Sequence, residues 1–169
     1  MDKENTEKFM KTIDDFGLSS VDNEKFSNDL KELNDISDSL PKDNVYSSED
    51  CLRLERLCLR GMNICDYWTP IIHIVLSEKE AERDATRGNA YIHAGKEGSK
   101  ITVEMRKALA DTNISYNNIR VITEKIKGIK LFFDKKRDTL KSAIFVFRDQ
   151  IVAYKLSDKG IEGENMENW

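Results

Sequence analysis

The sequence predicts an all-α protein: long helices with coiled-coil-like heptads, arranged as a helical hairpin that assembles into an oligomer. Three observations carry this expectation. Charged residues make up 34% and hydrophobic residues 39% of the 169-residue chain, with only 2 Pro and 8 Gly. That is a composition of solvent-washed helices rather than of a sandwich or barrel with its many turns. From Ile101 to Tyr154 apolar residues recur in alternating steps of three and four, the spacing of a helical stripe. Left unbroken, such a helix would span roughly 80 Å. The segment is therefore expected either to fold back near residues 111–115 or 134–137, or to pair with other subunits.

Residues 3–16, at the start of the chain, place Phe9, Met10, Ile13 and Phe16 at helical spacing, with Gly17 as a stop. Residues 22–40 repeat the pattern with Phe26, Leu30, Leu33, Ile36 and Leu40 before Pro41. Both segments are thinly apolar, so residues 1–45 are expected to form an acidic, weakly helical arm, loosely docked or folding only on a partner. Ser47 and Asp50 form an S-x-x-D capping signature for a helix through Cys51, Leu54, Cys58, Met62 and Cys65. Trp68-Thr69-Pro70 predicts a kink, or a restart with Thr69 as N-cap, and a helix continues toward Tyr91. Residues 94–99, AGKEGS, are the best loop candidate, with Ser99 placed to cap the next helix. The long periodic segment completes a helical core at 46–155. Residues 156–169 lack periodicity and are expected to be a disordered acidic tail.

Several chemistries are disfavoured. Cys51, Cys58 and Cys65 are spaced by seven, so consecutive sulfurs on a helix would lie about 10 Å apart, too far to share a metal ion. They read as small core hydrophobes. His73 is expected in the core and His93 on the surface, neither at ligand spacing. Glu78, Glu80, Glu82 and Asp84 lie among Lys79 and Arg83, a salt-bridged helix face rather than an acid-base pair. AGKEG lacks the spacer and Lys-Ser/Thr pair of a P-loop. No enzyme activity, metal or cofactor is expected. No apolar run approaches the length of a bilayer span, and the polar start MDKENTEKF lacks the basic and apolar regions of a secretory signal, so a cytoplasmic location is expected.

Net charge is −4, but its layout is uneven. Residues 1–45 hold 12 acidic and 6 basic side chains, whereas residues 120–155 hold 10 Lys/Arg against 4 Asp/Glu. An anion-attracting body thus lies between acidic ends. Arg83 and Arg87 lie four apart on one helix face, with Tyr91, Lys96 and Lys100 next along the chain and Arg106 and Lys107 beyond. Cations that seek phosphate, together with an aromatic that can stack on a base, are what single-strand binding uses. A second basic run is Lys135, Lys136, Arg137 and Lys141.

The order of features in SEKEAERDATRGNAYIHAGKEGSKITVEMRKALAD, and farther on in GIKLFFDKKRDTLKSAIFVFRDQ, resembles the UvsY recombination mediators of T-even-like phages. The likeness covers about residues 47–152 and is one of spacing across helices. The family's Lys-Ala-Arg is Ala85-Thr86-Arg87 here, so only Arg87 carries over directly, with Arg83 one turn earlier as a substitute. The resemblance implies a small helical protein that forms a homo-oligomeric ring, binds single-stranded DNA, and helps load a RecA-like recombinase onto strands covered by single-strand-binding protein in the cytoplasm of an infected host. On that reading Arg83, Arg87, Lys96, Lys100, Arg106 and Lys107 meet phosphates and Tyr91 stacks on a base. Ile126, Ile129, Phe133, Leu140, Ile144, Phe147 and Ile151 supply the subunit interface. The competing expectation is a helical scaffold or protein-interaction protein without nucleic acid affinity.

Overall fold

The computed structural model describes residues 22–41, 47–96 and 101–166, with side chains to residue 157. Its order is α1 (Asn23–Ser39), α2 (Ser48–Lys96), α3 (Val103–Asp111) and α4 (Ile114–Met166), with no strand among the described residues. The chain divides into two compact units. One joins Asp22–Tyr67 to the chain from Phe133 onward, and the other includes Trp68–Phe132.

In the first unit three helices pack together. Asp22 caps α1 by accepting from the Lys25 backbone N–H at 2.9 Å, and Ser47 caps α2 as expected, its hydroxyl accepting from the Asp50 backbone N–H at 3.1 Å and donating to Asp50 Oδ2 at 2.8 Å. The early part of α2 runs antiparallel to α4. Asp66 pairs with Arg137 and Glu55 with Arg148, each at 2.6 Å, and the Cys51 thiol donates to Gln150 Oε1 at 3.2 Å. As residue numbers fall on one helix they rise on the other. Helix α1 lies antiparallel to α2, with Lys25 over the Tyr67 ring and Glu32 paired with Arg60. Its Phe26 meets Phe133 of α4 with ring centroids 5.9 Å apart.

Phe26, Leu30, Leu33 and Ile36 are all buried, each side chain contributing about 1.5–3 kcal/mol on removal from water. Residues 23–39 are therefore part of a core, which corrects the expectation of a loosely docked arm. A thin apolar stripe suffices because it meets two other helices at once. Gly61 of α2 lies at that junction, and a Cβ there would lie 2.8 Å from Leu140 Cδ1 and 3.4 Å from Leu33 Cδ1.

In the second unit the later part of α2 meets α3 and the early part of α4. Gly95 touches Arg106, Arg87 pairs with Asp111, and Glu80 with Lys127. The order is again antiparallel. Trp68, Ile72, Val75, Leu76, Ala94, Ala110, Ile126 and Ile129 form its buried set. Thr123, fully buried, satisfies its hydroxyl by donating to the Ile119 carbonyl at 2.8 Å.

The sequence-based boundaries change in several places. Helix α2 passes Pro70 without a restart, and Thr69 Oγ1 is buried without a hydrogen-bond partner rather than capping. A proline forfeits one bond of the ladder, which neighbouring packing can tolerate. Neither expected fold-back after Ile101 occurs: the helix is interrupted at Thr112–Asn113, but α3 and the early part of α4 run in the same direction along α2. Asn113 caps α4 by accepting from the Tyr116 N–H at 3.0 Å, whereas 134–137 is uninterrupted helix. The apolar gap there holds Arg137, paired with Asp66, and Lys136, whose ammonium burial pushes down in pKa. Thr102, not Ser99, caps α3; Ser99 and the 3–16 helix lie outside the described residues. Helix α4 extends to Met166, where an aperiodic tail is expected. Elongating an existing helix carries no nucleation cost. His73 is exposed rather than buried, and His93 is exposed as expected.

Candidate nucleic-acid interface

The packing of α3 on α2 in the second unit leaves a groove along each side of the contact. One, of about 420 Å³, is lined by Asp84, Arg87, Gly88 and Tyr91 of α2 and by Lys107 and Ala110 of α3. The α2 residues fall at i, i+3, i+4 and i+7, one helical stripe. Lys107 joins them because α3, capped by Thr102, runs back along α2 and buries Ala110. The other groove, of about 390 Å³, mixes Thr86, Asn89, His93 and Asn113 with the apolar Ala90 and Leu109 and is lined by no Lys, Arg, Asp or Glu.

Three of the seven residues expected to bind DNA, Arg87, Tyr91 and Lys107, therefore meet in one groove. Lys107 has no hydrogen-bond or ion-pair partner among the described residues. Arg87 is engaged: its Nε donates to Asp111 Oδ1 at 2.7 Å and its Nη2 to Oδ2 at 3.3 Å. It also lies 5.9 Å over the Tyr116 ring. The Asp111 contact raises the Arg87 pKa further above its already high value.

The remaining four are dispersed. Arg83 is occupied by Asp84, its Nη2 at 2.8 Å from Oδ1, and does not line the groove. An adjacent carboxylate captures it before any ligand does. Arg106 lies flat on Gly95, where a Cβ would come within 3.0 Å of Nη1, and its Nε is buried without a partner. It is a packing residue beside the carbonyl-rich end of α2, the end that cations favour. Lys96 is exposed at that same helix end, and Lys100 lies outside the described residues.

Asp84, Asp111 and Tyr116 belong to the site as well. Sequence reading places Asp84 on a salt-bridged face with Arg83, as found, but misses Asp111, which pairs with Arg87 across two helices, and Tyr116, whose position depends on the break at Thr112–Asn113. The acidic face matches its reading, with Lys79 on Glu82 and Lys127 on Glu80 and Glu124.

The expected interface residues are a correction. Ile126, Ile129, Phe133, Leu140, Ile144, Phe147 and Ile151 are all buried inside the chain, none more than 7% exposed. A heptad records that a stripe is covered, not that another subunit covers it. No group of three or more His, Cys, Asp or Glu among the described residues is arranged to hold a metal ion. No helix among them is long and apolar enough to cross a membrane. No protein-family model, curated protein or solved structure matches the chain.

Proposed function

We propose that the chain binds single-stranded DNA through the groove between α2 and α3 and acts as a recombination mediator, helping to load a RecA-like recombinase onto DNA covered by single-strand-binding protein. One observation carries the binding reading: Lys107 converges with Arg87 and Tyr91 although it is 16 residues from the nearer of them. Cations serve the phosphates, and Tyr91 offers a face for base stacking. Residues 68–132 carry 11 Lys/Arg against 8 Asp/Glu, so the local field attracts the strand in a chain of net charge −4. The loading role rests on the order of features shared with the UvsY mediators. A homo-oligomer would repeat this modest site and gain through effective concentration.

A labelled single-stranded oligonucleotide titrated at several salt concentrations and followed by anisotropy, with duplex as comparison, tests the reading. The expected result is a preference for the single strand, with affinity falling steeply as salt rises. Lys107→Ala flattens the slope of log K against log salt by about 0.7, one phosphate contact. Tyr91→Ala weakens binding by about 1–3 kcal/mol with little change of slope. Absence of binding at the lowest salt removes this reading.

A helical protein-interaction role is then favoured, on a separate observation. In the first unit Leu52 and Leu59 on α2, with Phe145, Val152 and Leu156 on α4, remain substantially exposed.

A further inference from the structure

Asp111 is the last residue of α3, where unsatisfied carbonyls and the negative end of the helix dipole disfavour an acidic side chain. Its carboxylate is nonetheless held in a defined place. Arg87 grips it through Nε and Nη2 at 2.7 and 3.3 Å, the two-pronged geometry in which a guanidinium also takes a phosphate. Arg87 lines the groove, as does Lys107, one turn before Asp111 on α3. The groove therefore offers one cation without a partner among the described residues and one whose fork already holds an anion belonging to the protein.

We propose that Asp111 is the internal occupant of a phosphodiester subsite: its carboxylate fills the Arg87 fork in the free protein and is exchanged for a backbone phosphate when a strand anchored at Lys107 enters the groove. The inference rests on the single-strand reading above and adds to it a named competitor and an order of contacts. The exchange is physically accessible. Both partners are about half exposed, at 48% and 46%, and solvent-exposed pairs of this kind change an equilibrium by at most about fivefold. Tyr116 beneath the guanidinium remains in place as its aromatic support when the anion changes.

The oligonucleotide titration is run on the wild-type chain, Asp111→Asn, Arg87→Gln and the double variant, with helix content checked by circular dichroism. Asn keeps the shape of the side chain, and the backbone carbonyl of residue 111 that accepts from Asn117 Nδ2 is unaffected. Should Asn lower the helix content, Asp111→Ser replaces it. The expected result is binding two- to fivefold tighter for Asp111→Asn, with an unchanged salt slope because Arg87 meets the same phosphate in both complexes. In the Arg87→Gln background the gain shrinks by at least twofold. Equal gains in both backgrounds report only the removal of a negative charge and overturn the exchange, as does unchanged or weaker binding by Asp111→Asn. Wild-type binding without an Asp111 effect overturns the exchange alone. Absence of binding by every form overturns the single-strand reading, and the exchange with it.

Discussion

Gly61 and Gly128 both lie inside long helices, and the space around them sets them apart. At Gly128 a Cβ would meet nothing within 4 Å, so Gly128→Ala keeps only the benefit of helix propensity. It is expected to stabilise the chain by about 0.5–1 kcal/mol. At Gly61 the same methyl would lie 2.8 Å from Leu140 Cδ1, in a junction where Leu140 and Leu33 are fully buried. Overpacking of that kind costs about 1–3 kcal/mol, enough to cancel the propensity gain or reverse it. Urea midpoints should therefore move up for Gly128→Ala and not for Gly61→Ala; equal upward shifts would mean that the three-helix junction is not tight. The sequence shows two glycines and no difference between them, because the difference lies in what other helices bring to each. The groove is similar. Arg87 and Tyr91 are legible as one helix face and Arg83 and Asp84 as part of a salt-bridged one, whereas the engagement of Arg87 by Asp111 joins two helices and is not recorded in spacing.

At the scale of the element, periodicity identifies the buried face of each helix and leaves its partner open. Cys51, Cys58 and Cys65 read as core and are core. The stripe from Ile126 to Ile151 also reads as covered, and it is covered by the chain itself rather than by a neighbour. Helix α1 shows the reverse error, since four apolar residues look too few to hold a helix until both of its packing partners are known. The cap at Ser47 and the break between Asp111 and Ser115 are legible because both depend on local hydrogen bonding. Docking of α1 depends on Phe26, buried against Phe133. Phe26→Ala is expected to cost about 3–5 kcal/mol through lost burial and the cavity left behind. Amide hydrogen exchange should show the loss of protection concentrated in residues 23–39. Protection unchanged there would mean that Leu30, Leu33 and Ile36 hold the helix without it.

For the molecule as a whole, the composition that predicts an all-α chain is right, and the net charge of −4 is a poor guide to the field around residues 68–132. The thiols give the whole fold a definite dependence on pH. Burial pushes Cys58 and Cys65 up to about 11, with Glu55 and Asp66 adding to the shift, and it raises Cys51 as well. In the unfolded chain these groups return toward their ordinary value of 9.0. Below that value both states hold the protons and the thiols contribute no slope. Above it the unfolded chain releases protons that the folded chain retains, so folding stability falls as pH rises from about 9 to about 11. Urea midpoints measured across that window should decline, and the double variant Cys58→Ala, Cys65→Ala should decline less steeply from a lower starting stability. Lysine and tyrosine titration contributes to both curves equally, so the difference between the slopes isolates the thiols. Identical slopes would show that the thiols do not govern the alkaline limit. Because the thiolate is the reactive form, the native chain should also resist a thiol reagent at about pH 8 and react fully once unfolded in urea.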